Sequence, residues 1–93
     1  MENAKIKLVA KNGYALVDVE MYSGGREGER PRKVKLGERW YSVVVREYKR
    51  FLTVDRAEYD EWFLCYAVLN EENFEGFHFE LLKDHVGRFW ARR

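Results

Sequence analysis

His78, His85 and Cys65 are the side chains best suited to bind a metal or attack a substrate. Their spacing argues against both. Seven residues apart on one helix, the histidines would lie two turns and about 10.5 Å apart, whereas a helical metal pair needs i, i+4 spacing. Glu75-Gly-Phe-His78 is half of a Glu-x-x-His di-iron motif, present once and interrupted by Gly. Cys65 lies inside Trp62–Leu69, the most apolar stretch, where a thiol behaves as a small buried hydrophobe. A hairpin across Asn70–Asn73 would set Cys65 opposite His78, as in an activated nucleophile, but no flanking signature supports that pair. Gly24-Gly25 and Gly28 lack the Lys-Ser/Thr of a phosphate loop. The expectation is a non-enzyme with no catalytic residue, no cofactor and no metal.

The cations carry more information. Net charge is +1, but residues 26–50 carry net +5 and residues 51–85 net −7. Arg26, Arg30, Arg32, Lys33, Lys35, Arg39, Arg46, Lys49 and Arg50 are interleaved with Trp40, Tyr41 and Tyr48. Cationic side chains attract phosphates and aromatic rings stack on unpaired bases. The leading expectation is a non-catalytic protein binding single-stranded nucleic acid through a basic-aromatic sheet face. Lys33, Lys35, Arg46, Lys49 and Arg50 would hold phosphates, and Trp40 and Tyr48 would stack bases. Four Glu within residues 26–50 dilute that field, and a dedicated nucleic-acid binder is usually more basic overall. The alternative is a protein-interaction or small accessory module, homodimeric through an exposed sheet edge. There the basic segment would meet an acidic surface such as Asp55, Glu58, Asp60, Glu61, Glu71, Glu72 and Glu75.

The elements that must position these residues belong to one short domain, 1–93. Six Phe, six Tyr and three Trp supply a core, and one cysteine allows no intrachain disulfide. The longest apolar run is eight residues, too short to span a membrane as a helix. No apolar h-region follows Lys5 and Lys7, so a cytoplasmic protein without membrane contact is expected. Gln is absent, Thr occurs once and Ser twice, while 33 residues are charged. That balance is heat-adapted in character.

Asn12-Gly13 suits a two-residue type I′ turn between Ala4–Lys11 and Tyr14–Tyr22. This register puts Leu8 opposite Val17 and Ile6 opposite Val19 on one face, and Lys7 opposite Asp18 on the other. Residues 23–31, rich in Gly and charge, read as a flexible loop. Gly37-Glu38 suits a type II′ turn that sets Val34 opposite Tyr41 and Lys35 opposite Trp40. Inward parity is lost across Arg46–Lys49, which predicts a bulge.

Asp55-Arg-Ala-Glu58 has capping-box spacing, predicting a short helix over 56–61. A final hairpin would place Trp62, Leu64 and Tyr66 opposite Leu81, Phe79 and Phe77. A rival reading is a helix over Phe74–Phe89. Lys83–Trp90 reads as a C-terminal helical or turn-like segment, with Arg92-Arg93 frayed. The fold expected is a β-rich α+β domain: a strongly curved or barrel-like antiparallel sheet of about five to six strands, with two short helical pieces. In outline that order is OB-like, an architecture that often binds oligonucleotides.

Overall fold

A computed structural model describes residues 13–22, 30–52 and 59–93. They form six strands: β1 (Ala15–Tyr22), β2 (Arg30–Leu36), β3 (Arg39–Leu52), β4 (Tyr59–Asn70), β5 (Glu75–Lys83) and β6 (Phe89–Arg92). Each strand pairs antiparallel with the next, and β6 returns to pair with β1, closing a barrel. Full closure leaves few edges open to aggregation. The expected curved antiparallel sheet is therefore present, as a meander. The N-terminal strand expected to pair with β1 lies outside the described residues.

The interior alternates large and small residues, as a narrow barrel requires. Across β4 and β5, Cys65 opposes Phe79 and Ala67 opposes Phe77; across β5 and β6, Leu81 opposes Ala91. Val34, Phe63, Cys65, Ala67, Phe79, Leu81 and Ala91 form the buried cluster. Val17, Val19, Tyr41, Val43, Val45, Phe77 and Phe89 close around it. Tyr41 meets Phe77 edge-on, with ring centroids 5.5 Å apart.

The Gly37 turn stands as expected. Leu36 opposes Arg39, Lys35 opposes Trp40 and Val34 opposes Tyr41. Gly37 has φ of +69° and Glu38 does not share the positive region, which fits type II′. The register of β3 on β4 shifts between Val45 and Glu47. Arg46 is the extra residue of the expected bulge, and the positions paired with buried residues of β4 change from Val43 and Val45 to Tyr48.

Four expectations are corrected. Residues 59–61 of the proposed 56–61 helix are strand β4, paired to Leu52, Phe51 and Arg50; residues 53–58 lie outside the described part. The C-terminal segment is not helical: 84–88 turn tightly into β6, and Arg92 pairs with Glu80 instead of fraying. The β4–β5 hairpin is displaced by one residue: the turn closes at Asn70–Glu75, two residues beyond the expected pairing, and a bulge between Val68 and Asn70 that consumes Leu69 takes one back. Tyr66 therefore opposes His78, and Phe63, Cys65 and Ala67 face inward where Trp62, Leu64 and Tyr66 were expected. The loop expected over 23–31 also ends earlier, since Arg30 and Pro31 open β2.

Asp84 organises the last turn. Its Oδ1 accepts from the backbone N–H groups of Val86 (3.1 Å) and Arg88 (2.9 Å). Its Oδ2 accepts from Arg88 Nε (3.1 Å) and Trp90 Nε1 (3.0 Å). The backbone closes the loop through Asp84 N–H to the Arg88 carbonyl and Gly87 N–H to the Asp84 carbonyl. Gly87 takes φ of +95°, a conformation that excludes most side chains.

Candidate functional site

The seven residues assigned to a basic-aromatic face fall into two groups. Lys33, Lys35 and Trp40 share the outer face of the β2–β3 hairpin, because Lys35 opposes Trp40 and Lys33 opposes Ser42. Trp40 is 47% exposed. On the other side of β2, Glu20 opposes Lys33 and Asp18 opposes Lys35. Each lysine thus has a carboxylate as cross-strand neighbour, which offsets the local positive field.

Arg46, Tyr48, Lys49 and Arg50 occupy the far half of β3. Trp40 and Tyr48 are eight positions apart on one strand, roughly 26 Å, so one short run of bases could not stack on both at normal spacing. Tyr48 donates to Glu61 Oε2 at 2.5 Å, and its ring lies 5.2 Å from that of Phe63. Burial, then the Glu61 hydrogen bond, raise its phenol pKa above the ordinary value. The Lys49 ammonium lies 5.3 Å from the Trp62 ring centroid, within cation–π range. Arg50 opposes Glu61.

This far half of β3 has a feature that residue types did not reveal. β2 pairs with β3 only from Leu36–Arg39 to Lys33–Ser42, while β3 continues against β4 to Leu52. Among the described residues, no strand pairs with β3 on its β2 side from Val43 to Leu52. Pro31 sits where the strands part and is buried; it has no N–H to give a ladder. A cleft of about 290 Å³ opens there, lined by Tyr22, Arg30, Pro31 and Arg32 on one bank and Val43, Val44 and Val45 on the other. Beyond it, Tyr48, Phe51 and Leu52 are 47, 49 and 60% exposed. The signal in the sequence was Pro31 at the head of a β-rich run, which local reading assigns to a loop.

The nucleophile reading fails on geometry. Cys65 is fully buried against Phe79, and burial pushes its thiol pKa from 9.0 to about 12. His78 sits on the outer face, its ring 4.8 Å from Tyr66. His85 is held in the last turn by Asp60, whose Oδ1 accepts the His85 N–H at 2.9 Å and lies 3.3 Å from Nδ1. Among the described residues, no three His, Cys, Asp or Glu side chains gather as a metal site, and no helix is long and apolar enough to cross a membrane.

The outer face of β4–β5–β6 carries a polar cluster around Glu80. Tyr14 OH and Trp62 Nε1 each donate to Glu80 Oε1 at 3.0 Å, and Arg92 Nη2 reaches both carboxylate oxygens at 3.0 Å. Partial burial opposes ionisation of Glu80, but the donors outweigh it and hold its pKa below the usual value. Burial first, then Glu80, push the Tyr14 phenol up to about 12. Groups with raised folded-state pKa values stabilise the fold below their unfolded values and stop doing so as pH rises through the folded ones. Stability is therefore expected to fall from about pH 9 towards pH 12 as Cys65 and Tyr14 are forced to ionise. Urea melts at pH 8, 10 and 11 would show this, and Cys65→Ala with Tyr14→Phe should flatten the decline. An unchanged slope in the double variant would exclude both groups as its cause.

No protein-family model matches this chain, and no curated protein or solved structure matches it either.

Proposed function

We propose that this chain is a non-catalytic protein-interaction module that docks an extended segment of another protein along the β2-side edge of β3. The observation behind this reading is the early departure of β2, after which β3 runs on from Val43 to Leu52 with one edge uncovered among the described residues. An uncovered edge offers a row of N–H and C=O groups to a further strand. The adjoining cleft offers apolar contacts, and alternating pockets beside a strand edge give such docking its specificity.

A peptide library displayed on phage tests the reading. Selection should enrich extended peptides, and hydrogen exchange should place their protection on residues 43–52. No enrichment, or protection elsewhere, would overturn it.

A second reading is favoured by Trp40, exposed beside Lys35 with the Lys33–Ser42 pair next to it: single-stranded nucleic acid on the outer face of β2–β3. It ranks second because Asp18 and Glu20 oppose both lysines. Titration of labelled single strands at about 50 and 200 mM salt decides it. If both lysines hold phosphates, the Lys33→Glu, Lys35→Glu double variant should reduce the slope of log K against log salt by about 1.4. An unchanged slope removes the lysines from any nucleic-acid site.

A further inference from the structure

We infer that the docked segment is a strand of a different protein in which apolar residues alternate with carboxylates. This rests on the docking reading above and specifies its partner. Two features of the edge set the chemistry.

The first is the cleft. A strand added to β3 would alternate its side chains between the barrel side and the outer side. On the barrel side it would meet Val43 and Val45, both half-buried against the core, and the buried ring of Pro31. Apolar side chains suit that position, since Val43, Val45 and Pro31 present no side-chain hydrogen-bonding group to a buried polar one.

The second is charge. Arg32 is exposed on one bank of the cleft, and Arg46 and Lys49 are exposed along the β3 edge beyond it. Glu47 is the only carboxylate on β3. Carboxylates at the outward positions of an added strand would pair with these cations and steer its approach.

The same charges disfavour a second copy of this edge paired about its charged stretch. Two-fold pairing of antiparallel strands sets each residue opposite its reflection through the axis. An axis at Arg46, Glu47, Lys49 or Arg50 places that charge against itself, and an axis at Tyr48 places Arg46 opposite Arg50. Directly opposed like charges destabilise a sheet. Every self-pairing centred between Arg46 and Arg50 therefore carries a like-charge pair.

The test uses the full chain and a dye-labelled, end-blocked peptide of five Val-Glu repeats, followed by fluorescence anisotropy. Val-Lys repeats and the Val-Glu peptide with every amide N-methylated serve as comparators. The Val-Glu peptide should bind at least tenfold more tightly than the Val-Lys peptide, and weaken between about 50 and 200 mM salt, where screening grows. The N-methylated peptide should not bind, because it keeps the side chains but loses strand donors. Arg32→Glu with Arg46→Glu, both at exposed positions, should reduce affinity at least tenfold. Equal binding of Val-Lys, full binding of the methylated peptide, or indifference to the two arginines would each overturn the inference. Failure of Val-Glu while library peptides of other composition protect 43–52 would sink the partner chemistry and leave the docking reading standing. Absence of protection by any peptide would sink both.

Discussion

Replacing Asp84 with Ala should cost about 3 kcal/mol of folding stability, read as a lowered urea midpoint and a melting temperature down by roughly 15–20 °C. Asp84 is 2% exposed and accepts from two backbone N–H groups, the Arg88 guanidinium and the Trp90 indole. Without the carboxylate, those donors must find water or go unpaired, and buried donors left unpaired lose their full solvation. The effect reaches beyond one turn. β6 is only four residues long, yet it carries the pairing to both β5 and β1. Loosening its entry weakens the closure of the barrel.

Two comparators separate turn-holding from simple ion pairing. Asp84→Asn keeps an oxygen for the backbone donors but turns an amide N–H₂ towards Arg88 and Trp90, so it should lose about 2 kcal/mol. Arg88→Ala removes an ion pair whose basic side chain is 57% exposed, and should cost less than about 1 kcal/mol. If Asp84→Ala costs no more than Arg88→Ala, the carboxylate is not organising the turn.

The sequence is most legible where a turn leaves the register no slack. Gly37 supplies the one positive φ that a type II′ turn needs at its first central position, and the pairs from Leu36–Arg39 to Val34–Tyr41 follow from counting. Counting fails at Asn70–Asn73. The turn is where its residues predict: Asn70 and Asn73 side chains accept the N–H groups of Glu72 and Glu75. But the pairing closes at Asn70–Glu75, two residues beyond the expected one, and the extra residue Leu69 takes one back. Alternation could not reveal the slip, because both faces of β4 are apolar. Phe63, Cys65 and Ala67 fill the barrel, while Trp62 and Leu64 lie on the outer face, half-buried.

A local capping pattern favours a helix over 56–61, but strand pairing to β3 claims its last three residues. Such non-local pairing routinely overrides local preference. The β3 edge was hidden for a related reason. Charge and aromatic content point to the β2–β3 region, but which edge stays uncovered depends on where two strands diverge. Pro31 marks that place only once its neighbours are known.

Gly76→Ala should be the most damaging small substitution in the β4–β5 hairpin, with a cost of about 3 kcal/mol, the upper end of ordinary overpacking. A Cβ on Gly76 would stand 1.9 Å from the Ala67 carbonyl oxygen and 3.1 Å from Tyr66 Cε2. The first of these neighbours is backbone inside a paired strand, which cannot swing aside as a side-chain tip can. Relief requires opening the Val68–Gly76 pair beside the bulge, and with it the anchor of the turn. That anchor is Tyr66, which donates to the Phe74 carbonyl at 2.9 Å and stacks on the Phe74 ring. Phe74 itself is held at φ of +54°, where a bulky L-residue is uncommon and needs support from its surroundings. Hydrogen exchange should therefore quicken from Val68 to Gly76 in the variant, while β1 and β2 stay protected. Tyr66→Phe separates the two causes: it removes the hydroxyl contact alone and should cost about 1 kcal/mol. If Gly76→Ala melts within about 0.5 kcal/mol of the parent, the strands have room to part there, and close backbone approach is not what selects glycine.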